Sequence, residues 1–81
     1  MSTSLKYSND ELLFLKNIGF KIQFYRKKAG LSQEQLAEKC GLSYSTISHI
    51  EATQSYTLSI MTLYKIAKAL DVEPYQILIF E

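Results

Sequence analysis

A chain of 81 residues with 47% hydrophobic content and a formal net charge of +1 is long enough for one small domain and too apolar to be disordered. The single cysteine, Cys40, excludes an internal disulfide, and with one histidine the chain has too few convergent groups for a metal site or a catalytic nucleophile. We therefore expect no catalytic residue, no metal and no cofactor. No apolar run approaches the ~20 residues that span a bilayer, and the first residues have no signal-peptide core, so we expect a cytoplasmic protein without membrane contact.

The first predicted helix begins after Ser8, because Ser8 and Glu11 have the spacing of a capping box. Gly30 ends it. Before Gly30, apolar residues recur at helical spacing: Leu12, Leu15, Ile18, Ile22 and Tyr25. We expect residues 1–8 to form a flexible segment and residues 9–81 to form a single domain.

Two short helices joined by a tight turn are predicted next. Ser32 and Gln35 form a second capping box, so the second helix should cover about residues 32–40. Gly41 ends that helix because glycine adopts positive φ without a Cβ penalty. Ser43 is a good N-cap for a third helix over about residues 43–52. The apolar positions of this unit share one core: Leu36, Ala37, Cys40, Leu42, Ile47 and Ile50.

Two more helices complete the prediction. Ser59 is a plausible N-cap for a fourth helix, and Pro74 suits the first turn of a fifth. The fourth helix has a wide apolar face made of Ile60, Leu63, Ile66, Ala67 and Leu70. Because no stretch alternates as a strand would, the sequence predicts an all-α, compact bundle of five short helices.

The segment Ser32–Glu51 resembles the helix-turn-helix of phage repressors and Cro proteins, and of their bacterial XRE-type and restriction-controller relatives. It has the Ser32-Gln33 opening typical of that family, the small residue Ala37 at the helix crossing and the turn glycine, Gly41. The resemblance extends from about Ile18 to Ile79. It implies a five-helix, lambda-repressor-like DNA-binding domain whose third helix enters the major groove of double-stranded DNA.

By the same resemblance, Tyr44, Ser45 and His49 occupy the principal base-reading positions of the third helix. Ser43, Thr46 and Ser48 would lie close to bases or backbone. Aromatic, hydroxyl and imidazole groups all suit contacts with base edges or phosphates. The alternative is that Tyr44 covers an exposed edge of the core and that His49 is an ordinary surface residue.

Charges are segregated along the chain in a way that its net charge hides. Residues 12–33 contain no acid, and Glu51 is the only acid within residues 40–70. The end of the first helix and the third helix would therefore present a positive or neutral face, as phosphate contact requires. Lys27 and Lys28 are candidate phosphate ligands, although two such lysines also fit an ordinary solvated helix face.

The family resemblance assigns further roles around this face. Gln33 matches a position that hydrogen-bonds a phosphate and supports the third helix. Arg26 and Glu51 match a pair that forms a structural salt bridge between the first helix and the end of the third. After Glu51 the family has a polar residue and a glycine where this chain has Ala52 and Thr53, so the backbone there should differ. Further phosphate candidates in the following loop are Gln54, Ser55 and Tyr56.

The last predicted helix, which ends in residues 74–80, is too apolar for one small core to bury entirely. We expect a homodimer interface formed by Tyr75, Leu78, Ile79 and Phe80. The alternative is that Ile77, Leu78 and Phe80 close the core of a monomer. A two-fold dimer would bind a palindromic operator through two third helices about 34 Å apart.

Two functions remain open from the sequence. The first is a sequence-specific DNA-binding transcriptional regulator, a repressor or autoregulator, acting as a homodimer without an evident small-molecule ligand. The second is a protein-interaction module, such as an antitoxin or adaptor, with secondary DNA binding.

Overall fold

The structure, a computed structural model, describes residues 7–52 and 58–80. These residues form five α-helices and no strand, which confirms the predicted all-α class. The helices are α1 (Asn9–Lys28), α2 (Gln33–Cys40), α3 (Tyr44–Ala52), α4 (Ile60–Leu70) and α5 (Pro74–Ile77). Within the described ranges, no helix is both long enough and apolar enough to cross a membrane.

Local hydrogen bonds fix where the helices begin and end. The Ser8 hydroxyl accepts the backbone N–H of Glu11 at 3.1 Å, and the Ser32 and Ser59 hydroxyls make the equivalent bonds at the starts of α2 and α4, each at 3.0 Å. Gly41 ends α2 with φ of 71°, in the left-handed region that glycine adopts without a side-chain clash. Of the predicted flexible segment, residues 1–6 lie outside the described residues, and Ser8 is the N-cap of α1.

Every helix contributes one large, fully buried side chain to a common core: Ile22, Leu36, Ile47, Ile66 and Ile77. Because no short helix can bury its apolar face alone, each depends on its neighbours. α3 packs on α1 and α2, α4 packs mainly on α2, and α5 packs on α4 and α1. α3 is therefore held from two sides, which fixes the direction in which its remaining face points.

Two sequence expectations about the later helices need correction. Ile60 does not join the apolar face of α4 in the core, because it is 83% exposed. It is the first residue of α4 and lies at the edge of an apolar groove that Phe14 and Leu78 also line. α5 is a single turn that ends at Ile77, so residues 78–80 follow it without being helical.

Candidate nucleic-acid interface

α3 has one buried side and one accessible side. Ile47 and Ile50 are buried in the core, whereas Tyr44 is 51% exposed and Ser45 and His49 are also exposed. The three predicted base-reading residues thus share the accessible side of one helix. The neighbouring candidates differ, since Ser43 is exposed and Thr46 and Ser48 are half-buried.

Several of these side chains already make hydrogen bonds within α3. The Ser45 hydroxyl lies 3.2 Å from Nδ1 of His49, one helical turn away. The Ser43 hydroxyl accepts the backbone N–H of Thr46 at 3.1 Å and lies 2.9 Å from the Thr46 hydroxyl. Ser43 is therefore the cap of α3, and its bond with Thr46 makes both residues part of the helix start. Ser45 and His49 form a linked pair on the exposed side.

The carboxylate of Glu51 joins three helices at the far end of α3. Nε and Nη2 of Arg26 in α1 donate to it at 2.6 and 2.9 Å. The side-chain amide of Gln33 in α2 donates to Oε1 at 3.0 Å, and the Gln23 amide lies 3.5 Å from the same oxygen. Arg26 also donates from Nη1 to the carbonyl oxygen of Leu31 at 2.7 Å. The ion pair that the family resemblance implied is thus the centre of a larger network.

Burial makes this network energetically important. The side chains of Arg26 and Glu51 are 9% and 1% exposed, and no buried side-chain nitrogen or oxygen in the described residues is without a hydrogen-bond partner. The hydrogen bond to Glu51 raises the pKa of the Arg26 guanidinium above its ordinary value, against the opposing effect of burial. Arg26 therefore stays protonated throughout the ordinary pH range. Gln23 was missed at the sequence level, although its position three residues before Arg26 puts it on the same side of α1.

The predicted phosphate contacts are only partly brought together. Gln33 is half-buried at the start of α2 and, with Ser32 and Tyr44, lines one shallow open cavity. Lys27 and Lys28 are exposed in the last turn of α1. The remaining candidates, Gln54, Ser55 and Tyr56, lie outside the described residues.

The apolar C-terminal residues divide between core and surface. Ile77 is fully buried, and the half-buried Phe80 packs edge-on against Phe14 with ring centroids 5.7 Å apart. Tyr75, Leu78 and Ile79 are exposed. Closure of the monomer core thus accounts for Ile77 and Phe80, and the three exposed side chains form a surface that a partner could cover.

Comparison with known protein sequences supports the helix-turn-helix interpretation. A family model described as helix-turn-helix matches residues 22–77. The HTH-type transcriptional regulator SinR of Bacillus subtilis is 41% identical over 61 residues, which cover 75% of this chain and 55% of that protein. The chain thus spans about half the length of the first curated relatives it matches.

Solved structures give the same result. The restriction-modification controller protein C.AhdI from Aeromonas hydrophila matches with a TM-score of 0.75 and 36% identity over 78% of this chain and 94% of that chain. SinR in complex with DNA matches with a TM-score of 0.73 and 40% identity over 76% of this chain and 98% of that chain. The resemblance to XRE-type and restriction-controller regulators is therefore confirmed.

Proposed function

The chain belongs to the helix-turn-helix family, and we propose that it is a sequence-specific DNA-binding transcriptional regulator. The observation that carries this proposal is the two-sided arrangement of α3, which buries Ile47 and Ile50 and leaves Tyr44, Ser45 and His49 accessible. The major groove is ~12 Å wide and admits one such helix. Similarity to a SinR structure solved with DNA supports the same class of partner.

In this proposal the exposed side of α3 reads base edges. Tyr44 packs its ring on a thymine methyl group or donates its hydroxyl, and His49 donates to a purine N7 or O6. Ser45 contacts bases or phosphates and orients the His49 ring through their 3.2 Å hydrogen bond. Ser48 lies beside them, while the mutual hydrogen bond of Ser43 and Thr46 favours backbone contacts for those two residues.

Phosphate contacts flank the reading helix. The dipole at the start of α2 favours an anion, and Gln33 lies at that start, where the capping box of Ser32 and Gln35 already pairs two backbone N–H groups. Its amide nitrogen donates to Glu51, so Gln33 contributes to the position of α3 as well. Lys27 and Lys28 add positive charge from the last turn of α1. Gln54, Ser55 and Tyr56 remain further candidates.

The functional unit in this proposal is a homodimer that binds a palindromic operator. Three exposed apolar side chains lie within five residues of each other: Tyr75, Leu78 and Ile79. A partner that covered them would remove apolar surface from water. Phe80, packed on Phe14, would border the interface. In this proposal the dimer acts as a repressor or an autoregulator by occupying promoter DNA in the cytoplasm.

Fluorescence anisotropy with the DNA upstream of its own gene tests the proposed function. The regulator should bind that DNA about 10³-fold or more tightly than scrambled DNA of equal length, and its affinity should fall as salt rises from about 50 to 200 mM. Equal affinity for both DNAs, or binding independent of salt, would favour the competing role as an antitoxin or adaptor.

A further inference from the structure

The outer side of α1 carries an apolar stripe that the DNA-binding proposal does not use. Leu13, Phe20 and Phe24 are 54%, 52% and 53% exposed. Their spacing of seven and four residues puts them on one line along the helix, over about 16 Å. On the opposite side of α1, Ile18 and Ile22 are buried in the core. The stripe is therefore a surface feature and not a loosely packed part of the core.

Cations border this stripe on both sides. The Lys16 ammonium lies 5.8 Å from the Phe20 ring centroid, and those of Lys21 and Lys28 lie 5.6 and 5.9 Å from the Phe24 ring centroid. Residues 12–33 contain no acid, so no carboxylate of α1 lies between Lys16 and Lys28. The part of the stripe at Phe20 and Phe24 thus combines exposed aromatic surface with positive charge, whereas Asp10 and Glu11 lie in the first turn of α1, beside its Leu13 end.

We propose that the α1 stripe, formed by Leu13, Phe20 and Phe24 with its bordering lysines, docks an acidic amphipathic helix of a protein partner. Such a helix would cover the apolar side chains with its own apolar face and put Glu or Asp side chains beside the lysines. A line of apolar side chains along one helix suits helix-on-helix packing, in which axes approach to about 8–10 Å. Charge complementarity identifies the chemistry of the partner.

The same charges argue against a second copy of this chain as the occupant. Two copies joined through this stripe would bring Lys16 and Lys21 of one chain against the same cations of the other, at a cost in Coulomb energy. Docking does not depend on the proposed DNA binding. The two functions would nevertheless compete where they share Lys28, which is also a proposed phosphate ligand.

A synthetic peptide tests this proposal without DNA. The probe is a fluorescein-labelled helical peptide of about 18 residues, with Leu at its heptad a and d positions and Glu at the flanking positions. The control peptide has Lys in place of Glu. Anisotropy should show binding of the Glu peptide, at least about tenfold weaker binding of the Lys peptide, and weaker Glu-peptide binding as salt rises.

Paired variants locate the binding surface. The double variant Phe20→Ser, Phe24→Ser should bind the Glu peptide about tenfold or more weakly than the wild type, because apolar anchors carry most of the binding energy of an interface. Met61→Ser combined with Tyr64→Ser is the matched control, since it removes two exposed apolar side chains from α4, and it should leave affinity unchanged. Circular dichroism should show that both variants are folded, because all four positions lie outside the core cluster.

Several outcomes would overturn the proposal. One is the absence of Glu-peptide binding at concentrations up to about 500 μM, because a dissociation constant above that value is weaker than ordinary specific recognition. Another is equal affinity for the Glu and Lys peptides. If the α4 control variant lost as much affinity for the Glu peptide as the α1 variant, the α1 stripe would not be the binding site. Binding to vesicles of anionic lipid without peptide binding would identify a membrane surface instead. Self-association lost only in the Phe20→Ser, Phe24→Ser variant would identify a second copy.

Discussion

The Arg26 guanidinium donates two hydrogen bonds, of 2.6 and 2.9 Å, to the Glu51 carboxylate and so ties α1 to the last turn of α3. Gln33 adds a bond from the start of α2 to the same carboxylate. Three consecutive helices therefore meet at one buried ion pair. Since the accessible side of α3 is defined relative to these helices, the network sets the angle at which the proposed reading side chains are presented.

Removing one member of this pair should destabilise the fold. Arg26→Met leaves the Glu51 carboxylate buried without its cation, which costs on the order of 3–5 kcal/mol. Urea unfolding followed by circular dichroism measures this loss, with Lys27→Met as the exposed control that should change stability little. The double variant Arg26→Met, Glu51→Met should recover much of the loss. A single variant that loses under about 1 kcal/mol would show that the pair is energetically minor.

Lys27→Ala should weaken binding to all DNA sequences by a similar factor, because a phosphate contact carries no base information. The slope of log affinity against log salt should fall by about 1. Titrations with preferred and scrambled DNA measure both effects, and Lys39→Ala at the end of α2 is the matched control. A salt slope equal to that of the wild type would remove Lys27 from the phosphate ligands.

Ile79→Asp should convert a dimer into a monomer while leaving the monomer folded, because Ile79 is 41% exposed and outside the core cluster. A buried, unpaired carboxylate at the interface costs several kcal/mol, enough to abolish a micromolar dimer. Sedimentation velocity measures the change, and Leu13→Asp on the α1 stripe is the control that should remain dimeric. A wild type that sediments as a monomer at tens of micromolar would contradict the α5 interface.

Cys40 should react slowly with a disulfide reagent at about pH 8, because burial raises the pKa of its thiol above its ordinary value. The positive charges of Lys39 and Lys65 lower that pKa, but they do not cancel the effect of burial. A raised native pKa means that the folded state holds the proton more tightly than the unfolded state. The thiol's contribution to stability is thus complete below the unfolded pKa of about 8.5 and is lost as pH rises through the native value. Modification as fast as in the urea-unfolded chain would contradict this environment.

Features set by nearby residues could be predicted from the sequence. The caps at Ser8, Ser32 and Ser59 and the turn at Gly41 depend on side chains within three or four residues, so spacing alone indicates them. The core face of α3 followed from its periodicity for the same reason.

Features that depend on tertiary packing could not be predicted from residue spacing alone, although the family resemblance implied the Arg26–Glu51 pair and the support of the third helix by Gln33. α1 has large apolar residues around its whole circumference, so its periodicity did not reveal that Phe20 and Phe24 are exposed. The position of Ile60 was misjudged because helical spacing does not show where a helix extends past its neighbours. The bond between Gln33 and Glu51 joins residues 18 positions apart and depends on how α2 and α3 cross.

Base discrimination by α3 is tested most directly by measuring the affinity of Tyr44→Ala and His49→Ala for every single base-pair substitution of the preferred DNA site. Each variant should lose about 1–3 kcal/mol of discrimination at one or two base pairs, and nowhere else. Tyr64→Ala, which removes an equally exposed ring from α4, should discriminate like the wild type. Weakening by the same factor on every sequence would contradict base reading by the exposed side of α3.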